Sequence, residues 1–392
     1  MKKSIENFDL KGKRVIIRCD FNVPMKNGTI IDDNRIVSSL RTINYAIDNG
    51  AKVILMSHLG RVKEAADLAK NSLKIVADRL SELLKKEVIF VETTRGESLE
   101  SAVKSLNEGD VLLVENTRYE DLESKKESGN DPELGAYWAS LGDIFINDAF
   151  GTAHRSHASN VGITAHIPSG LGFLMKKEID ELSKLNDPKR PFLVILGGAK
   201  VSDKIGVINN LIEKCDEMII AGGMAYTFLK AQGIDVGKSI VDDESLDYAL
   251  ELMKKYPDKL HLPVDFHVTT EFSNDTESRY CLANDIASEE EGLDIGPKSI
   301  ENFKEVIARA KTVFWNGPVG VYEFSKYIEG TAQLLKAVTE TEFSVLGGGD
   351  MVGAASTLNL KEAVSHASTG GGATLEFMEG KELPGVAAIN DI

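Results

Sequence analysis

The chain has 392 residues, of which 42% are hydrophobic and 27% are charged, an ordinary composition for a folded protein. It carries 45 Lys and Arg against 61 Asp and Glu, a formal net charge of −16, which argues against nucleic acid and anionic membranes as partners. A single core usually stops growing at roughly 250 to 300 residues, so the length predicts two domains. Because the net charge is negative, any anionic ligand must be bound by positive charge that is concentrated locally.

The cysteines give no sign of a disulfide framework or a metal site. Cys19, Cys215 and Cys281 lie far apart and form neither a Cys-x-x-Cys pair nor a zinc-like spacing. The first eight residues lack the apolar stretch of a signal peptide, and no segment approaches the roughly 18 apolar residues of a membrane span. We therefore expect a reducing, cytoplasmic location.

In the first half, short apolar runs alternate with longer amphipathic stretches. The runs predict buried strands at 15–19, 53–56, 88–91, 111–114 and 144–146. The stretches between them predict helices at 34–48, 72–85, 98–106 and 132–140. Strand and helix in alternation predict a parallel sheet covered by helices.

The same alternation resumes in the second half. Strands are predicted at 192–196, 218–221, 260–264, 313–315 and 343–346, with helices such as 202–214 and 297–310 between them. Residues 166–170 indicate a break between the two series, and 171–185 predict one connecting helix. The sequence thus predicts an α/β protein with two Rossmann-like parallel-sheet domains, 1–168 and 186–374, joined by a helical segment at 169–185 and separated by a cleft.

Basic residues follow the predicted strands of the first half, at the edge where ligands bind in open α/β sheets. They are Arg61, Arg118, Arg155, His58, His154 and His157. Arg35 could reach the same edge from the first helix, and Asp20 could orient either a substrate hydroxyl or an arginine. Guanidinium groups match carboxylate and phosphate oxygens, so this cluster predicts a small phosphorylated acid as ligand. Taken singly, each arginine could instead form an ordinary surface ion pair.

The pair of His154 and His157 predicts no zinc site, since no third ligand lies near them in the sequence.

Glycine-rich segments follow the predicted strands of the second half. They lie at 197–198, 222–223, 317–320 and 347–349, with a further run at 370–372. Free N–H groups at helix N-termini form an anion cradle, and Lys200 and Lys204 add positive charge where phosphates would lie. Asp350 suits a bound Mg²⁺, which takes one or two carboxylates plus phosphate oxygens. Together these features predict a nucleotide site, although any one glycine pair could be a tight turn.

Two common nucleotide-binding motifs are missing from the sequence. The chain contains neither Gly-x-x-x-x-Gly-Lys-[Ser/Thr] nor Gly-x-Gly-x-x-Gly, which counts against a GTPase and against a nicotinamide dehydrogenase. We therefore predict an enzyme that transfers a phosphoryl group between a nucleotide held by the second half and a small anion held by the first.

The most specific segments follow the predicted strands. They are Arg-Cys-Asp-Phe-Asn-Val-Pro at 18–24, Ser-His-Leu-Gly-Arg at 57–61, Asn-Asp-Ala-Phe-Gly-Thr-Ala-His-Arg at 147–155, Leu-Gly-Gly-Ala-Lys-Val-Ser-Asp-Lys at 196–204, Trp-Asn-Gly-Pro-Val-Gly at 315–320 and Gly-Gly-Gly-Asp at 347–350. With them the whole chain closely resembles the phosphoglycerate kinase family. The resemblance implies reversible phosphoryl transfer in glycolysis, from 1,3-bisphosphoglycerate to Mg-ADP, giving 3-phosphoglycerate and ATP.

The resemblance also implies roles for individual residues. Those implied to bind the phosphoglycerate are Asp20, Asn22, Arg35, His58, Arg61, Arg118 and Arg155. Those implied to bind the nucleotide are Gly198, Lys200, Lys204, Gly222, Gly223, Asn316, Pro318, Glu323, Gly347, Gly348, Gly349 and Asp350. Those implied to act in catalysis are Arg35, Lys200, Gly349 and Gly372.

Within the implied nucleotide site, Lys204 and Asn316 would contact phosphates, Glu323 the ribose, and Asp350 the Mg²⁺ of the Mg-nucleotide. The base would lie against Gly198, Gly222, Gly223 and Pro318. The resemblance further implies a monomer with small-molecule substrates as partners, and a C-terminal segment, 375–392, that returns to the first domain. The alternative is a relative that kept the fold and the binding but lost the chemistry.

Three positions depart from the family pattern. Met351 stands where Ser or Thr is usual, Val62 where Pro is common, and Thr117 where an aliphatic residue is usual. The first removes a hydroxyl that would help to cap a helix and touch phosphate.

Overall fold

The computed structural model describes residues 1–392. The chain forms two compact units, one made of Met1–Asp180 with Glu382–Ile392 and the other of Glu181–Lys381. No helix combines the length and the hydropathy that a bilayer crossing requires. The three cysteines are buried and free.

The first unit is built on a six-stranded parallel sheet with the strand order β5-β6-β4-β1-β7-β8. Its strands, with the short hairpin β2–β3, are β1 (Arg14–Arg18), β2 (Met25–Lys26), β3 (Thr29–Ile30), β4 (Lys52–Met56), β5 (Val88–Val91), β6 (Val111–Val114), β7 (Ile144–Asn147) and β8 (Ser169–Leu171). Its helices are α1 (Asn34–Asp48), α2 (Ala66–Lys70), α3 (Lys74–Leu84), α4 (Glu97–Lys104), α5 (Asp121–Ser124), α6 (Pro132–Ser140) and α7 (Phe173–Ser183), of which α7 continues into the second unit.

Local sequence explains where these elements begin and why they are buried. Strands β6 and β7 are buried at every residue, because a parallel sheet is covered by helices on both faces. Helix α6 begins where Asp131 accepts a hydrogen bond from the Leu134 N–H at 2.9 Å, with Pro132 at the first helical position. On one side, Val53 of β4 shares a core with Ile43 of α1.

The predicted connecting helix at 169–185 was wrong at its start. Residues Ser169–Leu171 form β8, which pairs in parallel with β7, and α7 begins only at Phe173. The helix starts there because buried Asp148 accepts hydrogen bonds from the N–H groups of Leu174 (2.9 Å) and Met175 (3.2 Å).

The second unit contains another six-stranded parallel sheet, with the strand order β11-β10-β9-β15-β16-β17, and a separate antiparallel sheet, β13-β12-β14. Its strands are β9 (Phe192–Leu196), β10 (Glu217–Ile220), β11 (Leu260–His261), β12 (Asp265–Thr269), β13 (Ser278–Leu282), β14 (Glu291–Ile295), β15 (Thr312–Asn316), β16 (Phe343–Gly347) and β17 (His366–Ala367). Its helices are α8 (Ile205–Ile212), α9 (Met224–Ala231), α10 (Leu246–Lys255), α11 (Pro297–Arg309), α12 (Glu329–Thr339), α13 (Gly349–Thr357) and α14 (Gly372–Met378).

The two large parallel sheets confirm the predicted fold class, but the antiparallel sheet was missed. The strand predicted at 260–264 is parallel only over Leu260–His261, because the chain then leaves the sheet edge and pairs β12 with β13 and β14.

The C-terminal segment that returns to the first unit is shorter than predicted. It starts at Glu382 and contains α15 (Pro384–Ala387), whereas α14 belongs to the second unit. The return is held by hydrogen bonds from the Asn147 side chain to the Gly385 carbonyl (3.0 Å) and from the Ser169 N–H to Asn390 (2.8 Å). Helix α14 remains in the second unit, where the side chain of Asn210 on α8 donates a hydrogen bond to the Met378 carbonyl at 2.7 Å.

Candidate active site

In the first unit, residues after three different strands meet at Gly60. The Gly60 N–H donates to the side-chain oxygen of Asn22 at 2.8 Å, and the Gly60 carbonyl accepts from Nη1 of Arg118 at 2.9 Å. Asn22 follows β1, Gly60 follows β4, and Arg118 follows β6. The carboxyl ends of adjacent parallel strands thus bring residues that are distant in sequence to one place.

Asp20 holds an arginine in place. Its Oδ2 atom accepts a hydrogen bond from Nη1 of Arg35, which lies on the first turn of α1. Of the two roles considered for Asp20, orienting an arginine is therefore the one seen in the structure. The Arg35 side chain remains 38% exposed, so the rest of its guanidinium can be reached by a ligand.

Two arginines of the cluster remain open to solvent. Arg61 and Arg155 are exposed, and Nε of Arg155 lies 3.2 Å from Nε2 of His154. Neither guanidinium has a carboxylate partner among the ion pairs of the chain. Such a partner would compete with an anionic ligand. Their charge is therefore available for binding.

A second layer of charge is buried beneath the first. Arg18 is fully buried, and its guanidinium reaches Oγ of Ser159 (2.8 Å) and Nδ1 of His58 (3.2 Å). Burial and the nearby Arg18 guanidinium lower the pKa of His58 well below its ordinary value, and the pKa of His157 to about 3. Both histidines are therefore neutral at physiological pH.

Arg118 belongs to the same charged cluster. Burial lowers its pKa, and Arg155 and Arg18 lower it further by charge repulsion. Because a guanidinium stays protonated in proteins, this shift means that positive charges are crowded together at some cost in free energy. A bound anion would relieve that repulsion.

The second unit contains a pocket of about 370 Å³ beside the ends of β9, β10 and β15. Six residues assigned to the nucleotide line it, namely Gly198, Gly222, Gly223, Pro318, Glu323 and Asp350. Apolar side chains from several elements complete the wall, namely Tyr226, Ile240, Phe272, Leu293, Val319 and Val321. A pocket that is mostly apolar with a few polar groups suits a flat heterocyclic base.

Lys204 and Asn316 lie together at the exit of the second sheet. Nζ of Lys204 donates to Oδ1 of Asn316, and burial lowers the lysine pKa while Asp203 and Asp350 oppose that shift. Asn316 is 1% exposed, and its Nδ2 amide group has no hydrogen-bond partner. A buried donor without an acceptor is costly, so this amide is suited to a ligand oxygen.

Glycine at position 348 leaves room beside that amide. Gly348 has φ +86°, and a Cβ there would lie 2.8 Å from Nδ2 of Asn316. It caps α13, whose first residue is Gly349, and nothing lies within 4 Å of a Cβ added to Gly349. No side chain caps the helix, so its first N–H groups are suited to bind an anion.

Four further residues of interest lie in different elements of the second unit. Lys200 is exposed, and Gly347 ends β16. Gly372 is the first residue of α14. Met351, at the unusual position after Asp350, is fully buried in the core with Trp315, so its side chain packs instead of facing a ligand.

Asp350 is a reasonable partner for Mg²⁺ but could not bind it alone. It is exposed on the first turn of α13 and lines the 370 Å³ pocket. The chain contains no group of three or more His, Cys, Asp or Glu residues that could hold a metal ion. A single carboxylate suits Mg²⁺ that is held mainly by phosphate oxygens and water.

Sequence reasoning missed several of these residues. Arg18 had a usable signal, because a charged residue inside an apolar strand must have a buried partner. Glu127, which is buried next to Ser159, follows α5 in an irregular segment and had no such signal. Ile240 and Phe272 reach the pocket from loops whose place depends on the unpredicted antiparallel sheet.

Comparison with known proteins identifies the family. The phosphoglycerate kinase family model matches residues 5–381. The chain belongs to the phosphoglycerate kinase family. Phosphoglycerate kinases of Staphylococcus aureus strains RF122 and JH9 are each 56% identical to it over 393 aligned residues, covering 100% of this chain and 99% of each relative.

Solved structures of the family agree. The phosphoglycerate kinase of Coxiella burnetii superposes with a TM-score of 0.89 at 40% identity, covering 99% of this chain and 98% of that one. The enzyme from Pyrococcus horikoshii OT3 gives 0.87 at 33% identity with the same coverage. The predicted family, function and enzyme class, a phosphotransferase of glycolysis acting on 3-phosphoglycerate and ATP, are thereby confirmed. The alternative of a non-catalytic relative is not supported.

Proposed function

We propose that this phosphoglycerate kinase divides its ligands between its units, with the phosphoglycerate on the first and the nucleotide on the second. The observation that carries the proposal is the contrast between the two sheet edges. The first presents exposed guanidinium groups without carboxylate partners, at Arg61 and Arg155. The second presents a largely apolar pocket of about 370 Å³.

On the first unit, the charge balance supports a small anion with several negative groups. Arg35, Arg61, Arg118 and Arg155 supply cationic hydrogen-bond donors, and Asn22 and His58 supply neutral polar groups. Planar guanidinium groups bind phosphate and carboxylate bidentately. Asp20 keeps Arg35 directed into the cluster. This arrangement suits a three-carbon acid that carries a phosphate at one end.

On the second unit, the nucleotide would run from the pocket toward α13. The base lies against Gly198, Gly222, Gly223 and Pro318, and Glu323 accepts hydrogen bonds from the ribose. Lys204, the free amide of Asn316 and the N–H groups of Gly348 and Gly349 then face the phosphates. The base and the ribose would thus occupy the apolar pocket, and the phosphates would lie near Lys204 and Asn316.

The chemical step needs positioning and charge stabilisation and no covalent intermediate. Direct in-line transfer places the phosphoryl group between the carboxylate of one ligand and the terminal phosphate of the other. Lys200, Arg35 and the N–H groups of Gly349 and Gly372 stabilise charge on its equatorial oxygens. Asp350 would hold Mg²⁺ together with phosphate oxygens, and when bound the ion neutralises phosphate charge.

The division of ligands makes a closing motion part of the proposal. The reacting atoms must come within about 3 to 3.5 Å of each other, and water must be excluded to protect an acyl phosphate. The chain passes between the units twice, inside α7 between Asp180 and Glu181 and again between Lys381 and Glu382, and these two segments are suited to absorb the rotation.

The proposal also covers where and in what form the enzyme works. Three free, buried cysteines are compatible with a reducing cytoplasm, and the net charge of −16 disfavours nucleic acid and membranes. We take the enzyme to be a monomer whose partners are its small-molecule substrates.

Calorimetric titration of two arginine variants tests the division of ligands. Arg118→Ala and Arg155→Ala each remove a charged hydrogen bond of about 1.5 to 3 kcal/mol, so the Kd for 3-phosphoglycerate should rise about 10- to 100-fold. The Kd for Mg-ADP should stay unchanged. Arg14→Ala is the matched control, because Arg14 pairs with Asp143 (2.7 Å) at the opposite end of β1. Equal loss of both ligands in the arginine variants would contradict the proposal.

A further inference from the structure

Beneath the basic cluster of the first unit lies a buried carboxylate for which the mechanism has no use. Glu127 is fully buried, and both of its oxygens accept hydrogen bonds from Ser159, one from the N–H at 2.9 Å and one from the hydroxyl. Burial raises the pKa of Glu127, and the nearby Arg18 and the hydrogen bonds from Ser159 oppose that shift. With two donors and a buried cation beside it, we take Glu127 to be ionised.

A chain of hydrogen bonds joins Glu127 to His58, and the donor of each bond is fixed. The Ser159 hydroxyl donates its proton to Glu127, so the Ser159 oxygen can only accept, and Nε of Arg18 donates to it at 2.8 Å. A guanidinium can donate and cannot accept. At the other end of the Arg18 fork, Nη2 lies 3.2 Å from Nδ1 of His58, so this nitrogen must be the acceptor.

An imidazole whose Nδ1 accepts a hydrogen bond carries its single proton on Nε2. We propose that Glu127, acting through Ser159 and Arg18, fixes His58 as the neutral Nε2–H tautomer, so that His58 offers the phosphoglycerate an N–H donor and not a positive charge. Glu127, Ser159 and Arg18 are thus positioning residues for His58. The inference rests on the proposed phosphoglycerate site, in which His58 contacts the ligand.

The surroundings of His58 agree with a neutral ring. It is faced by Arg18 from β1, Arg118 from the segment after β6, Arg35 from α1 and His157, and with burial all four lower its pKa well below the ordinary value. A protonated ring would add another charge to this crowded group. Without Glu127, the fully buried Arg18 would lose its nearest compensating charge, and its fork would no longer be held toward His58.

The tautomer can be observed directly in the ligand-free enzyme. Protein labelled with ¹⁵N-histidine, with His58 assigned by comparison with His58→Gln, should show the shifts of a neutral ring protonated on Nε2 from pH 6 to pH 8. A ring protonated on Nδ1, or an imidazolium, would overturn the inference. This measurement needs no ligand, so it stands even if the proposed substrate site is wrong.

Two variants test the connection from Glu127. Glu127→Gln removes the charge and Ser159→Ala removes the hydroxyl, so in each we expect both His58 tautomers and a Kd for 3-phosphoglycerate about tenfold higher. The Kd for Mg-ADP should not change, which a general loss of folding would not allow. Ser159→Thr restores a hydroxyl and should recover both readouts.

Asp143→Asn is the matched control for loss of a carboxylate in the first unit. Asp143 pairs with Arg14 at 2.7 Å, at the end of β1 opposite Arg18, so this variant should keep the wild-type tautomer and affinity. If folded Glu127→Gln and Ser159→Ala enzymes keep both as well, Glu127 does not position His58. If wild-type enzyme fails to bind 3-phosphoglycerate, the proposed function fails, and the tautomer measurement still decides the present inference.

Discussion

Lys204 and Asn316 are joined by a hydrogen bond from Nζ to Oδ1, which leaves the buried Nδ2 amide of Asn316 without an acceptor. The bond fixes the asparagine with its donor side toward Gly348. One interaction thus places a cation and an amide donor together at the exit of the second sheet, before any ligand is bound. Such preorganisation reduces the cost of ordering side chains when a phosphate binds.

We therefore expect Lys204→Ala to weaken Mg-ADP binding about 10- to 100-fold by calorimetry, because a charged hydrogen bond contributes about 1.5 to 3 kcal/mol. Lys214→Ala is the matched control, since Lys214 also pairs with an asparagine, Asn210 at 3.0 Å, but at the far end of α8.

Lys200→Ala should instead lower kcat and kcat/KM together with little change in affinity for Mg-ADP, because its charge acts mainly in the transition state. Identical KM effects in both variants would contradict these roles.

Gly348→Ala should reduce both the free energy of unfolding and the affinity for nucleotide. The alanine would have to adopt φ +86°, and its Cβ would lie 2.8 Å from Nδ2 of Asn316. We expect the free energy of unfolding to fall by about 1 kcal/mol or more. Gly349→Ala, whose Cβ meets nothing within 4 Å, should unfold at nearly the wild-type urea concentration. If the two variants unfold at the same urea concentration, the close approach at position 348 is not a constraint.

Asp350→Asn should raise the Mg²⁺ concentration needed for half-maximal rate, because a neutral amide is a poorer partner for a hard cation than a carboxylate. A magnesium titration at fixed total nucleotide measures the shift. Asp203→Asn is a suitable comparison, since Asp203 is also exposed and also close enough to Lys204 to raise its pKa. An unchanged midpoint for Asp350→Asn would place the metal elsewhere.

His157 should make the free energy of unfolding depend on pH. Burial lowers its pKa to about 3 from 6.5, so below about pH 6.5 the unfolded chain binds a proton that the folded enzyme does not. Unfolding therefore becomes easier as the pH falls, by about 1.4 kcal/mol per pH unit. Between pH 7.5 and 5.5, His157→Gln should lose about 1.4 kcal/mol less stability than wild type.

That comparison between variants is needed because other buried groups titrate nearby. Burial raises the pKa of Asp148 and of Asp294 to about 7, so both bind protons more tightly in the folded enzyme than in the unfolded chain. Each therefore increases the free energy of unfolding as the pH falls. Their contribution has the opposite sign and cancels in the difference between His157→Gln and wild type. Parallel pH profiles for the two proteins would show that His157 is not held neutral by the fold.

Closure on both ligands should be visible by small-angle X-ray scattering. We expect the radius of gyration to fall most with 3-phosphoglycerate and Mg-nucleotide together and less with either alone, since only the ternary complex needs water excluded from the reacting atoms. ATP hydrolysis without 3-phosphoglycerate should be very slow. A radius that is the same in all four ligand states would contradict the closing motion.

The sequence by itself determined the two parallel sheets and most of the helices that cover them. The bounds of α1, α6 and β9 were predicted without error, because their apolar periodicity is local and a cap or a proline marks where α6 begins. It also placed the arginines, glycines and lysines at strand ends, since parallel strands bring their carboxyl ends to one edge.

Only the tertiary structure decided the rest. Strands β8 and β17 are three and two residues long and form only by pairing with a sheet already in place. Ile240 and Phe272 reach the pocket wall through loops around the antiparallel sheet, and Glu127 meets Arg18 through Ser159 across more than a hundred residues of chain. Such contacts depend on long-range packing, and local periodicity carries no information about which distant side chains will meet.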